Sequence, residues 1–316
     1  MLTQISCPVN STMTLVSLIA KLPLRFWHLL GALGGSLVYR TNPRYASKLA
    51  ENLRQSGIAA DAASYQKLLR LSIREIGKGG AEIIPIWLRS YPQTLKLVQE
   101  CRGWEHVEAA AREGRGILAM TPHLGCFEIV SLYYAARRPM TVMYRPPRQT
   151  WVEGIMRRGR GRGMISLATT DVKGVRALLS ALKRGEAVGI LPDQVASKGE
   201  GVWANFFGRP AYTPTLVSRL HQSTGAVPLL MFGERLPHGQ GYRIHIEPLP
   251  ADLSGDKQQA AIQLNAALEQ LIRKYPAQYL WSYNRYKQPG GVMPPDQSSG
   301  VMPPVESTGV TPPGQP

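Results

Sequence analysis

The sequence predicts an α/β fold, with a mainly parallel mixed sheet flanked by helices on both faces and an N-terminal membrane-associating helix. Beyond residue 100, short apolar runs recur between amphipathic stretches of about a dozen residues, the length that crossover helices require. Glycines end several of those stretches, as they commonly end helices. The predicted strands are Ile117–Met120, Thr141–Tyr144, Ile165–Ala168, Ala187–Leu191 and Val227–Phe232, and the closing glycines are Gly114, Gly185 and Gly225.

The first predicted element, within residues 1–40, is the membrane-associating helix. Most of this segment is apolar, but Lys21, Pro23 and Arg25 interrupt it. No run therefore reaches the roughly 18 to 20 apolar residues of a clear spanning helix. A secretory signal fits poorly, because the first residues carry no basic segment. A buried helix is one alternative, and the long apolar face favours the other, an anchor with Arg25 and Trp27 at headgroup level.

The α/β domain is predicted over residues 41–288, and it begins with helices. Asn42-Pro43 is typical of an asparagine N-cap followed by a proline in the first helical turn. A second helix is predicted from Asp61 onwards. Thr213-Pro214 has the same cap-and-proline pattern and predicts the start of a later helix.

The end of the chain, residues 289–316, has a different composition. GVMPP occurs twice and GVTPP once, among proline, glycine and serine residues. Such a segment cannot bury a core, so it is predicted to be a disordered tail.

The charge balance indicates an anionic partner. The chain has 37 Lys and Arg against 21 Asp and Glu, a formal net charge of +16. This excess fits nucleic acid, a phospholipid surface, an acidic protein or a phosphorylated substrate. The cysteines Cys7, Cys101 and Cys126 are odd in number and widely spaced, which fits a reduced compartment and gives no disulfide or zinc pattern.

The stretch TPHLGCFEIV, residues 121–130, is the leading candidate for chemistry. His123 falls between a predicted strand and a helix predicted over 127–136, at the sheet edge where parallel α/β folds bind ligands. If the two side chains cooperate, His123 must lie before the regular helix and Glu128 one turn inside it, with Gly125 between them to let the backbone bend.

A carboxylate beside a histidine is a general-base device, because it fixes the tautomer and stabilises the imidazolium. The sequence has no nucleophile-elbow motif, so the proton is predicted to come from a substrate hydroxyl. Taken alone, a histidine with a glutamate five residues later is a weak signal, and a structural role for His123 is the favoured interpretation. The six histidines show no paired ligand spacing, so neither a metal nor a cofactor is expected.

Further segments follow His123 in a characteristic order. They are HLGCFE, YRPPR at 144–148, MRRGRGRGMISL at 156–167, GILPDQ followed by FFGRPAYTPTLVSRL, and PAQYLWSYNRYK at 276–287, with LPLRFWHLLGALGGSLVYR and ENLRQSG before them. Together they resemble the late lipid A acyltransferases, a branch of the lysophospholipid acyltransferase superfamily. The resemblance covers about residues 15–287, and Cys126-Phe127 departs from the asparagine and tryptophan that the family often has.

The resemblance implies an O-acyltransferase in which His123 is the general base and Glu128 its orienting partner, in an HxxxxE motif. The donor would be an acyl-carrier-protein thioester, and the acceptor a hydroxyl of a lipid A precursor. The enzyme would lie at the cytoplasmic face of the bacterial inner membrane, in contact with its phospholipid through the N-terminal helix.

The substrate-binding candidates are mostly arginines. Eight arginines stand between residues 137 and 162 against one acidic residue. They are predicted to grip phosphate, carrier-protein carboxylates or anionic lipid, unless they form a solvated basic face. Arg145 ends a predicted strand, and Arg158 and Arg160 match the family's arginine motif. Asp193 and Gln194 end the strand in GILPDQ and are predicted to help hold the acceptor or the arginines, unless Asp193 only caps a turn.

Two aromatic segments have structural and functional interpretations. Phe206-Phe207-Gly208 is predicted to supply an apolar wall for acyl chains, or else ordinary core. In PAQYLWSYNRYK, a structural role is favoured, with Trp281 and Tyr283 as packing residues and Arg285 as a surface charge.

Two alternative functions are also compatible with the sequence. The same chemistry on a lysophospholipid or a glycolipid would use the same motifs. A basic nucleic-acid-binding protein would use the arginines, but the sequence lacks the aromatic stacking motifs of common RNA modules, and the apolar N-terminus would be unexplained. Nucleic acid is therefore not predicted as a partner.

Overall fold

The computed structural model describes residues 19–147, 149–251 and 253–294. Most of the predicted tail and the first residues of the predicted anchor lie outside these ranges. The helices are α1 Leu24–Thr41, α2 Pro43–Gln55, α3 Ala62–Leu88, α4 Tyr91–Leu95, α5 Trp104–Arg112, α6 Phe127–Ala135, α7 Thr150–Arg160, α8 Val172–Lys183, α9 Leu216–Thr224 and α10 Lys257–Lys274. The strands are β1 Val98–Arg102, β2 Ile117–Met120, β3 Met140–Tyr144, β4 Ile165–Thr169, β5 Ala187–Ile190, β6 Gly201–Phe206, β7 Arg209–Pro214, β8 Val227–Arg235 and β9 Tyr242–Pro248.

Seven of these strands form one sheet, in the order β1-β9-β8-β2-β5-β3-β4. Every neighbouring pair in it is parallel except β8 with β9. The prediction of a mainly parallel mixed sheet is confirmed. β6 and β7 form a separate antiparallel hairpin that the sequence did not predict.

Helices cover both faces of the sheet, and β2 shows this directly. All four of its side chains are buried. Leu118 and Met120 belong to a core cluster shared with α8, α9 and α10, whereas Ile117 and Ala119 belong to a second cluster shared with α5 and α6. Because successive side chains of a strand point to opposite faces, both faces of β2 lie against helices.

Helix α1 packs closely along α3 through glycines. A Cβ atom at Gly77 would lie 2.0 Å from the carbonyl oxygen of Gly31, so the two backbones are in contact. Trp27 is buried, and its predicted place at headgroup level is wrong, whereas Arg25 is exposed. Among the residues that the structure describes, no helix is long and apolar enough to span a bilayer.

The predicted helix starts have mixed outcomes. The Asn42 side chain accepts a hydrogen bond from the Tyr45 N–H, and Asp61 caps α3, so both of these starts are confirmed. The start predicted at Thr213-Pro214 is wrong, because both residues end β7 and α9 begins two residues later. Thr213 is fully buried there and accepts hydrogen bonds from neighbouring side chains.

Candidate active site

The candidate residues come together because of the order of the strands. β2 lies next to β5, and β5 lies next to β3, all three parallel. Their carboxyl ends therefore meet at one edge of the sheet. His123 follows β2, Asp193 and Gln194 follow β5, and Arg145 follows β3 directly.

The Asp193 carboxylate holds His123 by two hydrogen bonds. The imidazole Nδ1 lies 2.9 Å from Oδ1 of Asp193, and the backbone N–H of His123 donates to Oδ2 at 3.0 Å. The Asp193 side chain is 1% exposed and that of His123 is 10% exposed. Asp193 thus orients the ring and the backbone that carries it.

The charge state of Asp193 fits this contact. Burial raises the pKa of this carboxyl group, but the charge of the His123 ring and the hydrogen bonds from His123 outweigh burial, so the pKa lies below its ordinary value. An ionised Asp193 keeps a proton on Nδ1 and leaves the lone pair on Nε2. The side-chain nitrogen of Gln194 lies 3.3 Å from that Nε2 atom.

Glu128, which the sequence predicted beside the imidazole, is bound elsewhere. The Nε of Arg160 donates to its two carboxylate oxygens at 3.1 and 2.9 Å, and a terminal guanidinium nitrogen of Arg160 contacts it as well. Trp87 Nε1 donates to it at 3.1 Å. The orienting contact on Nδ1 of His123 is therefore corrected from Glu128 to Asp193. The physical reason is that Glu128, in the first turn of α6, faces the guanidinium on α7 and the indole on α3.

Among these arginines, Arg160 and Arg162 are partly buried, whereas Arg145 and Arg158 are exposed. Arg160 is the one substrate-binding candidate among them that contacts a candidate catalytic residue. Arg162, one of the eight arginines predicted to grip anions, instead donates to the backbone carbonyls of Ile86 and Arg89, and so binds the end of α3. Arg145 and Arg158 are exposed, and their role as substrate ligands stays a prediction.

His123 and Glu128 both line a cavity of about 310 Å³. One wall is α3, which contributes Ile76, Gly79, Gly80 and Ile83, and the turn from residue 123 to residue 128 lies opposite. The lining is mainly apolar. A second cavity, of about 520 Å³, lies beside Cys101 and Arg137 and contains none of the candidate residues.

A buried ion cluster borders the first cavity. Arg235 donates to both carboxylate oxygens of Glu82 at 2.9 and 2.6 Å and to Glu75 at 2.7 Å. The hydroxyl of Tyr242 donates to Glu82 at 3.0 Å, and Nε2 of His28 lies 3.2 Å from it. Burial raises the pKa of Glu82, but the charge of Arg235 and its hydrogen bonds prevail and lower it to about 2. In the sequence, the signal for this cluster was Glu82, an acidic residue within the apolar stretch AEIIPIWL.

The C-terminal aromatic segment lies closer to the site than the sequence indicated. The ring of Tyr283 stacks on the His123 imidazole, with an interplanar angle of 6° and centroids 6.1 Å apart. Arg285 is 2% exposed, so its interpretation as a surface charge is wrong. Phe206 and Phe207 pack in the core and do not line the His123 cavity, which favours the ordinary-core alternative.

Over the described parts of the chain, no group of three or more His, Cys, Asp or Glu side chains is arranged to hold a metal ion. The chemistry that this arrangement supports is proton transfer at Nε2 of His123 beside an apolar cavity.

Comparison with known proteins adds the family context. The sequence profile of the family described as bacterial lipid A biosynthesis acyltransferase matches residues 10–288. A lipid A biosynthesis palmitoleoyltransferase of Escherichia coli is 27% identical over 271 residues, covering 84% of this chain and 87% of the relative. A lipid A biosynthesis lauroyltransferase of Escherichia coli is 27% identical over 281 residues, covering 87% and 90%. A lipid A biosynthesis acyltransferase of Haemophilus influenzae is 30% identical over 191 residues, covering 59% and 58%.

Proposed function

Because the chain belongs to the bacterial lipid A biosynthesis acyltransferase family, we propose that it moves a fatty acyl chain from an acyl-carrier-protein thioester to a hydroxyl of a lipid A precursor. Family membership supports acyl transfer to lipid A, and the donor, the acceptor hydroxyl and the residue roles are our proposal. The observation that carries the residue roles is the contact between His123 and the buried Asp193, beside an apolar cavity.

In the proposed reaction, Nε2 of His123 takes the proton of the acceptor hydroxyl as its oxygen attacks the thioester carbonyl. The tetrahedral intermediate then expels the carrier thiolate, which takes the proton from the imidazolium. The new ester and the free carrier thiol are the products. Asp193 stabilises the imidazolium between the two proton transfers, because its carboxylate is already hydrogen-bonded to Nδ1.

The other polar candidates surround this centre. Gln194, with its amide nitrogen 3.3 Å from Nε2, can hydrogen-bond the acceptor hydroxyl as it approaches. Arg145 and Arg158 present exposed guanidinium groups, which suit phosphates of the acceptor or carboxylates of the acidic carrier. The buried Glu128 and the partly buried Arg160 form an ion pair that ties α7 to α6 beside the cavity.

The outer face of α1 suits a position on the membrane surface. Its exposed apolar side chains recur at helical spacing, so they form one stripe on the side away from α3. These side chains are Phe26, Leu29, Leu30, Leu33 and Leu37, and the exposed Leu22 lies just before the helix. Exposed basic residues on the neighbouring α3, Lys67, Arg70 and Arg74, suit the anionic lipid of the cytoplasmic leaflet. We assign α1 as the anchor at the cytoplasmic face of the inner membrane.

The reaction can be tested directly with the purified full chain in detergent. Incubation with a lipid A precursor and a panel of acyl-carrier-protein thioesters is expected to yield precursor whose mass has increased by one acyl group. The same acyl chains on coenzyme A, and lysophospholipid as acceptor, are the comparison arms. Equal rates with coenzyme A would contradict the carrier protein as donor, and transfer only to lysophospholipid would contradict lipid A as acceptor.

The cavity beside His123 is proposed to receive the acyl chain, and glycines on α3 keep it open. A Cβ atom at Gly80 would have no neighbour within 4 Å, and one at Gly79 would meet only Arg235, at 3.5 Å. Glycine inside a helix costs about 1 kcal/mol relative to alanine. Gly80 is exposed and lines the cavity, so packing does not account for that cost, and we propose that room for a substrate chain at the cavity does.

Gly80→Leu is therefore expected to shift donor use from long to short acyl chains, by roughly tenfold in the ratio of kcat/KM values. Competition between decanoyl and palmitoyl thioesters, with products read by mass, measures this ratio. The matched control is Gly34→Leu, another helical glycine with open space around it, on α1. An unchanged ratio in Gly80→Leu protein with an unimpaired Tm would contradict the acyl-chain assignment.

A further inference from the structure

His123 and Asp193 belong to two separate loops. His123 lies between β2 and α6, and Asp193 lies between β5 and β6. Neither loop is regular secondary structure at these residues, so the sheet alone does not fix the distance between the two side chains. A third element is needed to hold both loops in one arrangement.

The segment Gln278–Arg285, which we call the C-terminal strap, lies along the His123 loop. The backbone N–H of Leu280 donates to the carbonyl of His123 at 3.0 Å, and the N–H of Gly125 donates to the carbonyl of Gln278 at 3.0 Å. Leu124 and Tyr279 form a β-bridge between these two contacts. The backbone that carries the imidazole is therefore paired with the strap.

Tyr283 of the strap contacts both loops. Its ring is parallel to the His123 imidazole, with centroids 6.1 Å apart. Its hydroxyl accepts a hydrogen bond from the backbone N–H of Val195 at 3.0 Å, two residues beyond Asp193. One side chain thus connects the ring that would move the proton with the loop that carries its orienting carboxylate.

Other elements hold the strap in place without using either catalytic candidate. Asn52 of α2 donates to the carbonyls of Trp281 at 2.9 Å and Tyr283 at 3.1 Å. Arg285 donates to the Tyr212 carbonyl at 3.1 Å and to the Thr213 hydroxyl at 2.7 Å, both on β7. Asn52 and Arg285 are both buried. The strap therefore provides a fixed support on which Tyr283 can align the two loops.

We infer that Tyr283 is a positioning residue for the His123–Asp193 pair, and this inference rests on the proposed role of His123 as the base. Tyr283 acts through the two loops, with its ring limiting rotation of the imidazole and its hydroxyl fixing the Asp193 loop. Small displacements of reacting groups are costly, since about 1 Å of misplacement can lower a rate by about 100-fold.

The test compares Tyr283→Leu, which removes both contacts, with Tyr283→Phe, which retains the ring. The matched control is Tyr286→Phe, which removes a comparable hydrogen bond from the same region, to the carbonyl of Phe206 at 2.9 Å. Tyr283→Leu is expected to lower kcat roughly 10- to 100-fold with KM changed little. The kcat of Tyr283→Phe is expected to lie between the kcat values of the wild type and Tyr283→Leu. Tyr286→Phe is expected to retain the wild-type kcat.

The pH profile separates positioning from simple loss of stability. With a looser carboxylate contact the imidazolium is stabilised less, so the acid limb of the kcat profile should move to lower pH in Tyr283→Leu. Nitrogen NMR of labelled histidine, which needs no activity, should show less of the Nδ1–H tautomer at His123.

The outcomes distinguish this inference from the proposed function. A wild-type protein without transfer would contradict the proposed function, and the NMR comparison would still test the positioning role. The positioning role is overturned if the wild type transfers acyl chains and Tyr283→Leu does not differ from Tyr286→Phe. The three quantities compared are kcat, the pH of the acid limb of the kcat profile, and the fraction of the Nδ1–H tautomer at His123.

Discussion

Replacing His123 with alanine is expected to lower kcat for acyl transfer by about 10²- to 10⁴-fold, the usual contribution of a positioned general base. The reason is that His123 is the imidazole that lines the cavity and is held there by a buried carboxylate. Initial rates at saturating donor and acceptor measure the effect. His238→Asn, at an exposed histidine, is the control and should retain the wild-type rate.

The same assay decides which carboxylate orients the base. Asp193→Asn removes the charge that holds Nδ1 and is expected to lower kcat by at least about 10²-fold. Glu128→Gln weakens the pair with Arg160, so it is expected to alter stability and KM more than kcat. If Asp193→Asn had a near-normal kcat while Glu128→Gln was folded but inactive, Glu128 would be the orienting residue after all.

Replacing Arg235 with methionine is expected to reduce the free energy of unfolding by about 3 to 5 kcal/mol, the usual result of leaving a buried charge without its partner. The Glu82 side chain is 3% exposed and that of Arg235 is 2% exposed, so water cannot replace the lost contact. Denaturant unfolding measures the loss. Arg243→Met is the control, since it removes a partly exposed pair with Glu100 and should cost much less.

The reduction in the free energy of unfolding caused by Arg235→Met should depend on pH. In the wild type, the pKa of Glu82 falls from 4.5 to about 2 on folding. Its stabilising contribution is therefore complete above about pH 4.5 and disappears as the pH falls towards 2. Without Arg235, burial favours the neutral, protonated form of Glu82. The difference in the free energy of unfolding between wild type and Arg235→Met should therefore shrink as the pH falls.

Adding Glu82→Gln to Arg235→Met should recover part of the lost stability at neutral pH, because it removes the uncompensated charge. A loss in Arg235→Met that is equally large at every pH and is not relieved by Glu82→Gln would contradict the electrostatic explanation.

Of the strands that the sequence predicted, β2, β3, β5 and β8 lie inside the sheet and β4 lies at its edge. β2 and β5 are covered on both faces, so they read as continuous apolar runs. β1 lies at the edge of the sheet with a polar sequence, and β9 alternates between apolar and polar residues, so neither produces such a run. The hairpin was missed because FFGRPAYTP resembles a cap and a helix start more than a strand.

At the site, the sequence placed His123 at the correct edge of the sheet, because a strand, a turn and a helix follow one another within a few residues. It paired His123 with Glu128, the nearest carboxylate along the chain. Asp193 is 70 residues away. The two meet only because β2 and β5 are neighbours in the sheet, an order that local patterns do not encode.

By itself, the sequence determined the α/β fold class, the family and the position of the histidine, because these depend on local periodicity and on ordered motifs. The tertiary structure alone decided which carboxylate holds the imidazole, that Glu82 and Arg235 share a buried ion cluster, and that Arg285 is buried behind the site. Those facts depend on which distant segments become neighbours, and the packing of strands and helices sets that, whereas spacing along the chain does not.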